Sequence, residues 1–249
     1  MLLVARGLAD SRAQAQALIM AGAVTSAGRR VDKPGELLAA DADLTLAERP
    51  RFVSRGGDKL DHALTSFASY GLEVKGKICL DVGASTGGFT DCLLQRGAAR
   101  VIAVDVGYGQ LAQKLRVDPR VDVRERVNAR DLRPADLPSV PDLVVVDASF
   151  IGIGKLIGAI ARVLAPGGEL VALVKPQFEA GREAASRGRG VIRDASIRLA
   201  AIADAKEAIE AAGFTVVGEV DSAIAGPKGN VECFVYARRR GEATTRGDP

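Results

Sequence analysis

Leu80-Asp81-Val82-Gly83-Ala84-Ser85-Thr86-Gly87-Gly88-Phe89-Thr90 is the stretch on which the fold turns. The apolar run 78–82 reads as a strand and the glycines as a tight turn. The residues from Gly88 onward read as the start of a helix. Glycines at such a turn let the backbone approach a ligand closely, and the helix that follows offers its positive end. Working outward, further apolar runs at 101–106, 121–124, 143–147, 169–174, 215–220 and 232–237 alternate with helical stretches, the longest at 196–212. Near-continuous Val/Ile/Leu strands separated by helices predict a parallel sheet covered on both faces. The expected architecture is an α/β, Rossmann-like domain with a mostly parallel seven-stranded sheet over 58–240.

The first fifty residues follow a different rhythm. Asp10 or Ser11 is placed to cap a helix through Ala15, Leu18 and Ile19, with Gly22 as its stop. Ala27-Gly28 joins two short strands as a hairpin, and Leu44-Thr45-Leu46 offers a third. This predicts a small α+β domain over 1–50, a linker over 51–57, a mobile loop over 181–193 and a disordered tail over 241–249.

The glycine turn admits two kinds of nucleotide cofactor. A dinucleotide site wants Gly-x-Gly-x-x-Gly, whereas Gly83 is followed by Gly87 and Gly88. Asp81 just before the loop would repel a pyrophosphate but suits the cationic amino group of S-adenosylmethionine. Asp105, closing the second strand, is placed for the ribose hydroxyls of an adenosine cofactor. Asn128, after the third strand, is placed to meet the adenine edge. The expected cofactor-binding set is therefore Asp81, Gly83, Ala84, Ser85, Gly87, Gly88, Asp105, Asn128 and Asp147, in a class I methyltransferase fold.

Three more strands end or begin in polar residues with no packing reason to be there: Asp147, Lys175 and Glu232. In an open α/β sheet the ligand crevice lies beyond the carboxyl ends of the strands. An antiparallel last strand would bring Glu232 to that same rim, and Lys59 could lean over it from a preceding helix. A ribose hydroxyl is a weak acid and needs a base as it attacks a methyl donor. Burial and a second cation favour the neutral amine that could serve. Lys175 is assigned as the base and Lys59 as the neighbouring cation and ribose clamp, with Asp147 and Glu232 orienting the lysines. Asp147-Ala148-Ser149-Phe150 is not an Asp/Asn-Pro-Pro-aromatic grip for an exocyclic amine, and no Pro-Cys or Thr-Cys nucleophile is present. An oxygen target remains.

Composition narrows the partners. The net charge of +3 permits a polyanion without demanding one, and with no Trp and 4% aromatics any nucleic-acid contact leans on charge. Three widely spaced cysteines lack metal or disulfide spacing, so no metal is expected and a reducing cytosol fits. The most apolar stretch, 143–164, is broken by Asp147, Lys155 and Arg162, so no membrane partner is expected.

Ser54-Arg55-Gly56-Gly57-Asp58-Lys59-Leu60, the glycine turn, Asp105 to Gln110, Leu173 to Glu179 and Gly226 to Glu232 together resemble the TlyA family of 2′-O-methyltransferases, some of which carry a haemolysin label. The resemblance implies an FtsJ-like catalytic fold with a Lys-Asp-Lys-Glu tetrad at Lys59, Asp147, Lys175 and Glu232. It implies cytidine 2′-O-methylation of ribosomal RNA within ribosomal subunits, in large-subunit rRNA alone or together with small-subunit rRNA. The first domain resembles the RNA-binding domain named after ribosomal protein S4, which implies phosphate contacts from Arg6, Arg12, Arg29, Arg30 and Lys33. The chain begins almost at Arg6; either its start lies upstream or it resembles the shorter kind of member, associated with large-subunit rRNA alone. A non-catalytic RNA-binding or assembly factor on a degenerate cofactor fold is the alternative. A membrane-lytic protein would need an amphipathic basic segment that the sequence lacks.

Overall fold

The structure, a computed structural model, describes residues 2–20, 23–31, 33–46, 51–180, 190–226 and 228–241. The chain divides into two compact units, Met1–Arg51 and Phe52–Pro249.

The first unit holds α1 (Leu2–Ala5), α2 (Arg12–Met20), and a three-stranded antiparallel sheet of β1 (Val24–Ser26), β2 (Arg29–Arg30) and β3 (Leu44–Leu46), with β1 central. Ser11 supplies the cap of α2: its Oγ accepts the Gln14 amide at 3.2 Å, satisfying one of the unpaired N–H groups of the first turn. The hairpin turn has Ala27 at φ 48° and Gly28 at φ 77°, the left-handed pair whose twist matches that of the flanking strands. Leu3, Ala15, Leu18, Ile19, Val24 and Val31 form its core. Gly22, the expected helix stop, lies outside the described residues.

The second unit contains α3 (Arg55–Phe67), β4 (Ile78–Val82), α4 (Gly88–Gln95), β5 (Arg100–Asp105), α5 (Gln113–Arg116), β6 (Val121–Glu125), β7 (Leu143–Val146), α6 (Ile157–Val163), β8 (Glu169–Val174), α7 (Pro176–Glu179), α8 (Ala195–Ala211), β9 (Phe214–Asp221) and β10 (Cys233–Arg239). The seven strands run in the order β6-β5-β4-β7-β8-β10-β9; β4 to β8 are parallel and β10 is antiparallel to both of its neighbours. Alternation along each strand sorts the core onto two faces. Cys79, Val101, Ala103, Leu143, Val145, Val171 and Leu173 pack with Leu60, Leu64, Phe67 and Leu93 of α3 and α4. Leu80, Val82, Ile102, Val104, Val144, Val146 and Leu170 pack with Ile157, Ile160, Ile202 and Ile209 of α6 and α8. Each of these fully buried large side chains contributes roughly 1.5–3 kcal/mol, so both faces must stay covered. The antiparallel β10 puts the residue before it at the same edge as the residue after β8.

Several expected bounds shift by a residue or two, Asp147 and Glu232 falling just outside their strands, and two changes go further. Residues 52–57 do not form a linker: Phe52 is 3% exposed in the core of the second unit, and α3 is already under way at Arg55. The strand expected at 101–106 stops at Asp105, and Val106 is exposed. Residues 181–189 of the expected mobile loop and 242–249 of the expected tail lie outside the described residues.

Candidate active site

The glycine turn is shaped by the strands on either side. Gly83 sits at φ +86°, and a Cβ there would lie 2.8 Å from the Asp147 carbonyl oxygen, so position 83 admits only glycine. A Cβ on Gly88 would fall on Ser54 Oγ and within 2.8 Å of the Gly57 amide nitrogen, which lets the starts of α3 and α4 touch. Asp105 fastens the turn: its Oδ2 accepts the Ser85 amide at 2.8 Å and its Oδ1 the Gly107 amide at 2.6 Å. Each carboxylate oxygen keeps a second lone pair for a ligand hydroxyl.

Beyond the strand ends lies a cavity of about 600 Å³ lined by Gly83, Ser85, Asp105, Asn128, Asp147 and Phe150, among others. A smaller cavity of about 210 Å³, lined by Ser54, Arg55, Lys59, Ala84, Gly88 and Asp147, shares Gly83, Ser85 and Asp147 with it. Together they suit an elongated nucleoside ligand with its polar end toward Lys59. The cradle left by the missing Cβ of Gly83, with acceptors from Asp105, fits S-adenosylmethionine. Asn128 lines the larger cavity while its Oδ1 accepts the Arg130 amide at 3.2 Å, capping the short turn that follows. Gly87 adopts φ +95° at the start of α4 and packs on Leu115 rather than on either cavity.

Asp81 departs from its expected place at the ligand. It is fully buried on β4, between two parallel neighbours, and lines neither cavity. Its Oδ2 accepts the Thr90 hydroxyl at 2.7 Å, and its Oδ1 has no partner among the described residues. Burial is the main force pushing its pKa up to about 7; the Thr90 hydrogen bond opposes it, and Asp147 adds to it. Asp81 thus braces α4 from behind the turn.

The four polar rim residues meet as two ion pairs. Lys59 Nζ donates to Glu232 Oε2 at 2.6 Å, with the residues 8% and 1% exposed. Lys175 Nζ lies 2.6 Å from Asp147 Oδ1 and donates to Ser149 Oγ at 3.0 Å, and Lys175 is 7% exposed. The register Cys233↔Val174 sets Glu232 and Lys175 level, one residue beyond each strand. Lys59 and Asp147 face the same small cavity. Buried pairs of this kind are poor stabilisers compared with apolar residues of similar volume, so their presence on one rim needs a reason beyond folding. Ser149, Phe150 and Glu179 escaped the sequence reading. The signal for Glu179 was available, since it shares Lys175-Pro176-Gln177-Phe178-Glu179 with the lysine singled out.

In the first unit, Arg12 and Lys33 line a groove of about 230 Å³. Arg6 donates to the carbonyls of Ala40 and Ala42 at 2.5 and 2.6 Å, and Arg29 is ion-paired with Glu36. Arg30 is exposed on β2. His62 is exposed on α3. Among the described residues no group of three or more His, Cys, Asp or Glu is placed to hold a metal ion, and no helix is long and apolar enough to cross a membrane.

A sheet of this order with its penultimate position antiparallel, a glycine turn after the first strand and acidic residues at successive strand ends defines a class I methyltransferase. The family described as FtsJ-like methyltransferase matches residues 52–239, and the S4 domain matches residues 1–44. The 16S/23S rRNA (cytidine-2′-O)-methyltransferase TlyA of Mycobacterium tuberculosis is 46% identical over 95% of this chain and 87% of its own. The 23S rRNA (cytidine-2′-O)-methyltransferase TlyA of Campylobacter jejuni is 36% identical over 74% of this chain and 70% of its own. A solved structure from Streptococcus thermophilus, labelled a hemolysin, is 42% identical, covers 98% of this chain and 90% of its own, and superposes with a TM-score of 0.74. The chain belongs to the TlyA family of FtsJ-like, S-adenosylmethionine-dependent methyltransferases, with an S4 domain at its N-terminus.

Proposed function

We propose that this protein methylates the 2′-oxygen of a cytidine ribose in ribosomal RNA, in the cytoplasm, on assembled ribosomal subunits. The observation that carries the mechanism is the Lys175 amine, held by Asp147 at 2.6 Å and Ser149 at 3.0 Å. To act as base, the Lys175 ammonium of this ion pair first gives up one proton, which leaves two N–H groups and one lone pair. With both N–H groups engaged by Asp147 and Ser149, the lone pair is left for the ribose hydroxyl. Lys175 takes that proton, and the positive charge it gains is met by the Asp147 carboxylate. Lys59, kept in place by Glu232, donates to the ribose oxygen and steadies charge developing there. S-adenosylmethionine, when bound, supplies an electrophilic sulfonium methyl. Gly83, Ala84, Ser85 and Gly88 form its cradle, Asp105 takes the ribose hydroxyls, and Asn128 and Asp147 complete the walls. Arg12, Lys33 and Arg30 of the S4 domain meet RNA phosphates, whereas Arg6 is bonded within the domain to the Ala40 and Ala42 carbonyls and Arg29 is paired with Glu36.

The cytidine and rRNA assignments rest on the likeness to the TlyA enzymes above. Incubating the protein with labelled cofactor and separated ribosomal subunits, then mapping the modified nucleotide, tests them; label on a base atom, or none on either subunit, defeats the reading. Lys175→Ala is expected to abolish transfer while calorimetry still detects cofactor binding. An assembly factor on a degenerate fold would bind no cofactor at all.

A further inference from the structure

The loop after β7 carries Asp147, Ser149 and Phe150, and the short turn α7 faces it. Three ties join them. Lys175, capping α7, holds Asp147 and Ser149. The rings of Phe150 and Phe178 lie 5.2 Å apart. Glu179, at the far end of α7, accepts the Ile153 amide through Oε1 at 2.8 Å. Lys175 and Glu179 belong to one turn, since the Glu179 amide donates to the Lys175 carbonyl at 3.2 Å and Pro176 fixes the first position. The turn therefore grips the loop at both ends.

Gly152 gives an independent sign that this grip is built in. Its φ of −76° and ψ of 152° suit any residue, so backbone conformation does not call for glycine. A Cβ there would instead meet Glu179 Oε2 at 2.6 Å. The tightest contacts of a side chain at 152 would thus be with Glu179. A half-buried carboxylate whose pKa burial pushes up is a costly way to satisfy a single amide.

We infer that Glu179 is a positioning residue for methyl transfer: by clasping Ile153 it fixes the 147–153 loop so that Asp147 and Ser149 stay on Lys175. The inference rests on the reading of Lys175 as proton acceptor. Glu179→Ala should lower kcat on the order of 10- to 100-fold, as small misplacements of reacting groups do, with cofactor Kd changed less than about threefold. Glu179→Gln keeps an oxygen for the Ile153 amide and should recover most of the lost rate. Gly152→Ala should mimic Glu179→Ala, and in the Glu179→Ala background it should cost little more, because the atom it strikes is gone.

Hydrogen exchange at the Ile153 amide reads the clasp independently of turnover and should quicken in Glu179→Ala. Full activity of Glu179→Ala, a folded Glu179→Gln no better than Glu179→Ala, or a Gly152→Ala penalty that is the same with and without Glu179 would each overturn the inference. If Lys175→Ala proves active, the reading of the base falls instead, whatever the exchange at Ile153 does. Should Glu179→Ala fail to fold, Glu179→Gln and Gly152→Ala carry the test.

Discussion

Replacing Asp81 by asparagine probes the most heavily desolvated carboxyl near the site. Asp81 is 0% exposed, and its pKa rises from 3.8 to about 7, chiefly through burial. The sign follows from which state gives up its proton first. In the unfolded chain Asp81 ionises near pH 4, whereas in the folded protein it holds its proton to about 7. The folded state therefore loses stability as pH rises from about 4 to 7 and stays level above that. An amide has the carboxyl's shape, can still accept the Thr90 hydroxyl, and does not titrate. Integrating the linkage between pH 5.0 and 8.5 gives a wild-type loss of about 3 kcal/mol that the variant escapes. Urea titrations of both proteins, without cofactor, at those two pH values measure it: the stability difference, variant minus wild type, should grow by about 3 kcal/mol toward the alkaline side. A difference that stays constant within about 0.5 kcal/mol would refute the argument, because then burial has not raised the Asp81 pKa. Because Asp81 lies behind the turn rather than on a cavity wall, the variant should also keep cofactor affinity within about tenfold, the effect of about 1.4 kcal/mol.

Gly83→Ala forces a Cβ into a left-handed position 2.8 Å from the Asp147 carbonyl oxygen; melting should show a loss of about 1–3 kcal/mol and calorimetry at least a tenfold weaker cofactor. Glu232→Ala strands the Lys59 ammonium in a buried setting and should cost about 3–5 kcal/mol, whereas Lys59→Met combined with Glu232→Leu should recover most of that stability while remaining inactive. Arg12→Ala and Lys33→Ala should each weaken RNA binding and reduce the dependence of log K on log salt by about 1, as loss of one phosphate contact does. Arg6→Ala should instead lower the stability of the first unit, since its guanidinium is bonded to the Ala40 and Ala42 carbonyls.

Much of the catalytic fold was legible because the central strands are buried on both faces and so carry unbroken apolar runs; β4 and β8 begin and end at the residues expected. The meeting of the rim residues was legible for the same reason in reverse: a lysine or carboxylate closing an apolar strand has no packing role. Local contacts of the loops were not. Nothing at Phe52 marks it as core, since one aromatic among Arg51, Val53 and Ser54 has no period to betray it. Asp81 looked like a ligand because its position was known and its direction was not; on a central strand, a one-residue change decides whether a side chain faces the crevice or the packed layer. Arg6 and Arg29 read as free cations because their partners, the 40–42 carbonyls and Glu36, lie in irregular segments.

The arrangement of the two lysines argues for different tasks. Lys59 reaches Glu232 across 173 residues of sequence, and a Cβ on Gly226 would lie 2.7 Å from Glu232 Oε1, so the carboxylate of this pair is closely packed from behind. A cation anchored in this way suits a fixed electrostatic contact. Lys175 has softer partners: Ser149 is a hydroxyl that can donate or accept, and Asp147 is shared with both cavities. A group that must change its proton count needs neighbours able to satisfy either form, and among the described residues of the rim tetrad Lys175 is the one with a hydroxyl on its amine. Exchanging the roles would put a proton acceptor on the Lys59 nitrogen, whose partner offers charge alone. Ser149→Ala should therefore slow transfer by on the order of tenfold and shift its pH profile, since one N–H of the amine loses its partner. An unshifted profile with full rate would mean that the hydroxyl has no part in holding the base.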